Sequence, residues 1–188
     1  MTHVLRLCIA VLLAACTASM ARAEDGAWTA LRDRAAVLII RHAQTEPGIG
    51  DPPGYRLDQC ATQRNLSEAG RAQAAAIGRQ VADRGVKVSR VESSRWCRCI
   101  DTARLAFPGA EVHAVDALNS FFGERNAEPS QTNALRTRIG EWRGPGVLVL
   151  VTHQVNITAL TGRSVAPGEG LVLQPEAAGL RVAGAVQF

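Results

Sequence analysis

Arg41 and His42 stand directly after an unbroken aliphatic run, Val37 to Ile40. Four aliphatics without alternation read as a short strand buried on both faces, so the pair sits where that strand stops. A fixed guanidinium can hold an anion while a neutral imidazole attacks it, and this suits phosphoryl chemistry. Two other strands end in groups of the same kind. The strand expected from Lys87 to Glu92 runs into a turn from Ser94 to Arg98, and the five aliphatics Val147 to Val151 are followed at once by Thr152 and His153. Ligands of open sheets bind outside the carboxyl ends of the strands. The three strand ends would therefore bring Arg41, His42, Arg98 and His153 to one place.

The elements that must position these residues alternate. Glu46 to Arg64 reads as a loop, because the run Pro47-Gly48-Ile49-Gly50-Asp51-Pro52-Pro53-Gly54 can continue neither a helix nor a ladder. So long a loop in a compact domain is usually functional. A helix follows with Ser67 as N-cap and Glu68 in its first turn, carrying Leu66, Ala69, Ala72, Ala76, Ile77 and Val81 at helical spacing up to Gly85. A second helix lasts to Phe107, and Val112 to Val115 is a short strand. Leu118 to Asn126 is irregular, and Ser130 to Trp142 is helical. A short helix from His153 to Gly162 precedes two strands, Gly170 to Gln174 and Leu180 to Gln187, joined through Pro175 to Gly179 as an antiparallel edge hairpin. The alternation predicts an α/β fold with a mainly parallel central sheet and helices on both faces.

The chain has 188 residues and is 47% hydrophobic, enough for one domain over residues 24–188. Its net charge of +4 and its 4% aromatic content give no basic stripe interleaved with stacking residues, so nucleic acid is not an expected partner. Residues 1–23 read as an export signal: Arg6, an apolar stretch from Leu7 to Ala15, and a small-residue cleavage site at Ala21-Arg22-Ala23. That stretch is too short to span a membrane. Release into the periplasm or outside the cell is the preferred reading, since Glu24-Asp25 makes a plausible mature start. Leu13-Ala14-Ala15-Cys16 resembles a lipoprotein box and would instead anchor the chain through Cys16. Export leaves Cys60, Cys97 and Cys99 in an oxidising compartment, where two can pair. Cys97 and Cys99 are too close for an easy bridge, so Cys60 with one of them is expected. A zinc site is not, because Cys97-x-Cys99 lacks a second pair and His113 is poorly placed to complete it.

Four motifs together resemble the histidine phosphatase superfamily, which includes the cofactor-dependent phosphoglycerate mutases. Arg41-His42-Ala43-Gln44-Thr45 is similar to its Arg-His-Gly-x-Thr signature, with Ala for Gly. Leu66 to Ala74 is similar to its Leu-Thr/Ser-x-x-Gly-x-x-Gln-Ala, and Ser93 to Ala103 to its Ser-Ser-Pro-x-x-Arg-x-x-x-Thr-Ala, with Arg95 for Pro. His153 matches the second histidine. The resemblance implies that His42 attacks phosphorus and forms a phosphohistidine that water hydrolyses, while Arg41, Arg98 and a protonated His153 stabilise the transferring group. It implies no metal and no cofactor. Thr45 and Arg64 could bind phosphate, and each reads equally well as an ordinary loop or surface group.

The proton donor departs from the pattern. Leu118-Asn119-Ser120 has Ser where mutase-like members carry Glu, and Gln154 stands where the acid phosphatase branch has Asp. Glu124 is the nearest substitute, equally readable as a solvated carboxylate; without one, a phosphoramidate or aryl phosphate would be the favoured substrate. The reading that follows is an exported phosphomonoesterase acting on a small phosphorylated substrate or a lipid-linked phosphosugar. The alternative is a degenerate periplasmic protein that binds phosphorylated envelope ligands without turnover.

Overall fold

Two fully aliphatic strands, β1 (Val37–Arg41) and β4 (Val147–Thr152), form the middle of the sheet, and their lack of alternation follows from burial on both sides. They pair in parallel, with Val37 opposite Leu148 and Arg41 opposite Thr152. This register sets the site, because His42 and His153 are the next residues of adjacent strands, and His42 N donates to Thr152 O at 2.9 Å. The computed structural model describes residues 25–32, 36–176 and 179–188. The leader expected over residues 1–23, including Cys16, lies outside them.

Among the described residues the sheet has six strands in the order β3-β2-β4-β1-β5-β6. On the far side of β4, β2 (Val88–Ser93) runs parallel with Ser93 opposite Val151, and β3 (Val112–Ala114) lies parallel at the edge. On the far side of β1, β5 (Gly170–Glu176) and β6 (Gly179–Val186) are antiparallel. The mixed sheet and the C-terminal hairpin are those expected. The hairpin strands run further than expected, since Pro175 pairs with Leu180 and Glu176 with Gly179, a stretch read from sequence as connection.

Helices cover both faces. Residues 25–32 form α1, which the sequence reading did not anticipate, and its Trp28 and Leu31 are buried. It shares one apolar cluster with α2 (Glu68–Asp83), α3 (Cys97–Ala106), Leu38, Ile40 and Val149. The opposite cluster joins Val37, Ile39 and Leu148 to α4 (Glu128–Gly140) and α5 (Gln154–Thr161). Alternate residues of β1 and β4 thus face different layers. The α4 helix begins two residues earlier than expected, with Pro129 in its first turn, where a missing N–H costs nothing.

The Leu66 to Ala74 motif has a structural cause. Ser67 caps α2 by accepting from Gly70 N at 3.1 Å. Gly70 itself is obligatory, because a Cβ there would lie 1.8 Å from Gln44 O. Gln73 then accepts from Gln44 N at 2.9 Å and donates to Pro167 O at 2.8 Å. The helix thereby clamps the turn that follows His42.

A disulfide joins Cys60 to Cys97, and Cys99 is the free, buried thiol. The bridge ties the 46–64 loop to the start of α3 across a sequence separation of 37. Chain-entropy reasoning puts its contribution at about 4 kcal/mol. Paired Cys60→Ser and Cys97→Ser substitution should accordingly lower the unfolding free energy by roughly 2 to 4 kcal/mol in urea titrations; an unchanged midpoint would mean that the cross-link does not constrain the native protein.

Candidate active site

Four side chains from three strand ends meet at one cavity of about 610 Å³, lined among others by Arg41, His42, Arg98 and His153. The imidazoles of His42 and His153 lie with ring centroids 5.4 Å apart, edge to face. His42 Nδ1 is 2.9 Å from Ala43 O, and a carbonyl can only accept, so Nδ1 carries the hydrogen. Nε2 is then the ring atom with a lone pair, and it makes no hydrogen bond within the described protein. That is the tautomer a nucleophilic histidine needs.

His153 is held from behind. Its Nε2 lies 2.9 Å from Ser94 Oγ and 3.5 Å from Cys99 Sγ. Ser94 Oγ also lies 3.3 Å from Asn119 Oδ1, so the direction of the Ser94 proton sets which ring nitrogen of His153 is protonated. When Ser94 donates to Nε2, the proton sits on Nδ1. Burial keeps the Cys99 thiol protonated, its pKa pushed up to about 12, so it packs against the imidazole without acting as a thiolate.

The guanidinium groups are fixed by carbonyls and one carboxylate. Arg41 donates to Val165 O at 3.0 Å and to Gln154 at 3.4 Å, leaving its Nε buried without a partner. Arg98 forms a two-point pair with Asp51 at 2.7 and 3.1 Å, and its Nε is likewise buried and unpartnered. Orphaned buried N–H groups are costly in native proteins and mark where an acceptor belongs. Both arginines line the cavity, so an oxyanion bound there would lie among their positive charges.

Arg64 lines the same cavity and is braced by Gly50 O at 2.8 Å and Gly48 O at 3.0 Å. Thr45 is not among the lining residues. Its Oγ1 accepts from Arg64 Nη1 at 2.6 Å, so it positions Arg64. Glu124 is not brought to the site. Phe121 is buried, Phe122 and Gly123 line the cavity, and Glu124 is exposed and not among the lining residues. The buried Glu92 is no substitute, being held by Arg90 and Arg138 away from the cavity.

Asp51 is the residue that sequence reasoning missed. It is the sole carboxylate lining the cavity. Besides Arg98, its oxygens accept from Arg64 N at 3.0 Å and Trp96 Nε1 at 2.9 Å. Burial works to raise its carboxyl pKa, but the hydrogen bonds and charge of Arg98, with the Arg64 and Trp96 donors, outweigh burial and hold it below the usual value. It is an ionised brace for Arg98. Only its place in a long Pro- and Gly-rich loop hinted at a role.

Residues 37–144 match the family model of the histidine phosphatase superfamily, branch 1. The chain belongs to that superfamily. With the cavity described above, it is a phosphatase of that superfamily. His42 and Arg98 fall inside the matched span, whereas His153 lies beyond it and joins the site on geometry. By sequence, the chain has no significant match among curated proteins. Its fold is similar to that of phosphoserine phosphatase from Entamoeba histolytica in complex with 3-phosphoglyceric acid, with 14% identity, a TM-score of 0.61 and coverage of 81% of this chain and 97% of that one. A mycobacterial glucosyl-3-phosphoglycerate phosphatase gives 19% identity, a TM-score of 0.58 and coverage of 80% and 97%. The protein histidine phosphatase SixA complexed with tungstate gives 13%, 0.54, and 81% and 96%.

In this histidine phosphatase the free site keeps both imidazoles neutral. Burial first, then the charges of Arg98, Arg41 and Arg64, lower His42 from its ordinary value of 6.5 to about 3, against a small raising effect of the Ala43 carbonyl. Burial, followed by His42 and the same three arginines, also lowers His153 well below 6.5. The protonated His153 expected from the family is therefore not the form of the unliganded site. Among the described residues no group of three or more His, Cys, Asp or Glu is placed to hold a metal ion.

The depressed histidines fix a pH dependence of stability. The unfolded chain protonates His42 near pH 6.5 and the folded site only near pH 3, so acid within that window favours unfolding. This stability is fully present above about 6.5 and is lost as pH falls toward 3. Urea unfolding at a series of pH values should show His42→Asn with a shallower slope between pH 6.5 and 4.5, by up to about 1.4 kcal/mol per pH unit. Parallel slopes would contradict a buried neutral His42.

Proposed function

We propose that this phosphatase hydrolyses phosphate monoesters outside the cytoplasm through a phosphohistidine at His42. The observation that carries the reading is the convergence on one cavity of a neutral imidazole with a free Nε2 and three arginines, Arg41, Arg64 and Arg98. In the proposed reaction His42 Nε2 attacks phosphorus while Arg41, Arg98 and Arg64 hold the non-bridging oxygens. Phosphoryl transfer needs little covalent help, and preorganised cations provide most of the catalysis. Water then cleaves the P–N bond.

Export is supported by the leader over residues 1–23 and by the Cys60–Cys97 disulfide, since such bonds persist in oxidising compartments. Cleavage after Ala23 would release the protein; lipidation at Cys16 would anchor it. The substrates named for its structural neighbours, phosphoserine and glucosyl-3-phosphoglycerate, are small phosphate esters, which supports a small or envelope-linked phosphate as the substrate here.

With para-nitrophenyl phosphate as substrate, His42→Ala should abolish turnover, and Arg98→Ala should lower kcat on the order of a hundredfold or more. Rapid acid or base quench should trap a base-stable, acid-labile phosphoryl-enzyme in wild type and none in His42→Ala. Full turnover by His42→Ala, or binding of phosphate esters with no turnover by wild type, would refute the enzyme reading. Intact mass of the exported protein separates release from lipid anchoring.

A further inference from the structure

Two independent features of the cavity, its rim and its lack of a free acid, restrict the leaving group. Four large hydrophobic side chains are exposed among the described residues: Ile49 at 91%, Phe122 at 53%, Tyr55 at 41% and Leu57 at 37%. Three of the four, Ile49, Tyr55 and Phe122, line the same cavity as His42. Of these, Tyr55 is joined to its base through ring contacts. His42 meets His153 edge to face at 5.4 Å, His153 meets Trp96 edge to face at 5.2 Å, and Trp96 meets Tyr55 at a tilt at 5.9 Å. A cationic floor beneath an apolar, aromatic mouth fits an anionic head on an apolar body, whereas a sugar or glycerol body would leave that mouth unused.

The floor carries no carboxylic acid able to protonate a leaving oxygen. Asp51 is the sole carboxylate of the lining, and both its oxygens are taken by Arg98, with Arg64 N and Trp96 Nε1 as further donors. A general acid typically contributes about a hundredfold to ten-thousandfold. Its lack matters little when the leaving group is a phenol, with pKa about 10 as in tyrosine, and much when it is an alcohol, nearer the roughly 15.7 of water.

We propose that the ester this site is built for carries its phosphate on a phenolic oxygen, with the aromatic ring held among Tyr55, Trp96 and Phe122. The proposal rests on the phosphohistidine reading above and specifies its substrate. As the His42 Nε2–P bond forms, the P–O bond to the ring breaks and its electron pair leaves on the phenoxide, which takes a proton from solvent water. A second water then adds to phosphorus, the P–N electron pair returns to Nε2, and that water's proton passes to solvent. The source of the phenolic phosphate, a free aryl phosphate or a tyrosyl phosphate in a peptide, shares this chemistry.

Four substrates and two sets of variants test it. Phenyl phosphate should exceed benzyl phosphate, equally apolar but with an alcohol leaving group, by at least about a hundredfold in kcat/KM. Glycerol phosphate should be poorer still. Tyr55→Ala with Phe122→Ala, both at exposed positions, should raise KM for phenyl phosphate about tenfold by removing two ring contacts. A tyrosyl phosphopeptide turned over faster than phenyl phosphate identifies a peptide as the source, and slower turnover a small molecule. Benzyl or glycerol phosphate used within tenfold of phenyl phosphate, or an unchanged KM in the rim variant, overturns the substrate class; if His42→Ala is nonetheless inactive, the phosphohistidine reading stands. Undiminished turnover of phenyl phosphate by His42→Ala brings down both.

Discussion

The ion pair between Arg98 and Asp51 is the contact on which the site depends. Three guanidinium groups, Arg41, Arg64 and Arg98, crowd around one hollow, and the side chains of Arg98 and Asp51 are only 4% and 7% exposed. Like charges packed so closely away from water repel strongly, because little dielectric screening remains. Asp51 is the counter-ion that lets them coexist. Its hydrogen bonds also fix place: Arg98 on α3, Trp96 just before α3 and the Arg64 backbone before α2 all donate to one carboxylate. Removing one partner of such a pair typically costs about 3 to 5 kcal/mol, since an uncompensated buried charge is left behind.

Delivering Asp51 is what the architecture around the loop accomplishes. Residue 51 lies in an irregular stretch with few backbone partners of its own. The Cys60–Cys97 bridge ties the far part of that stretch to the helix bearing Arg98. Gln63 adds a buried strap, donating to Arg56 O and Leu57 O and accepting from Cys97 N at 2.9 Å. Beneath the loop, the parallel register of β2, β4 and β1 places Ser93, Val151 and Ile40 in line, so that Ser94, His153 and His42 all follow from neighbouring strand ends. Rigid strands thus set the imidazoles and the cross-linked loop sets the charge balance.

How much of this the sequence discloses follows from the range of the forces involved. β1 and β4 are legible because burial on both faces demands unbroken aliphatics, and α2 because Ser67 and the spacing of Ile77 and Val81 are local signals. Arg41, His42, Arg98 and His153 are legible because each follows such an element. Asp51 is not, since its partner Arg98 lies 47 residues away and neither residue type nor periodicity marks a carboxylate in a Pro-Gly loop. Proximity in sequence misleads at Glu124: Phe121 is drawn into the core, the chain reverses there, and the carboxylate faces solvent. α1 escaped because it directly follows the stretch read as an export signal, although Ala27, Trp28, Ala30 and Leu31 carry helical spacing and are buried.

The neutral His153 of the free site differs from the protonated His153 expected of the family, and the charge of the lining bears on the difference. With both imidazoles neutral, three arginines and one aspartate give the lining a charge of 3 − 1 = +2. A phosphate monoester dianion brings −2 and cancels it. Burial depresses His153 first, and the charges of His42, Arg98, Arg41 and Arg64 depress it further. A bound dianion would offset that repulsion and add an acceptor for an N–H, both of which act to raise the imidazole's pKa. In the proposed reaction the free nitrogen of His42 would instead bond phosphorus. Asp51 thereby sets the net positive charge that a bound dianion would neutralise.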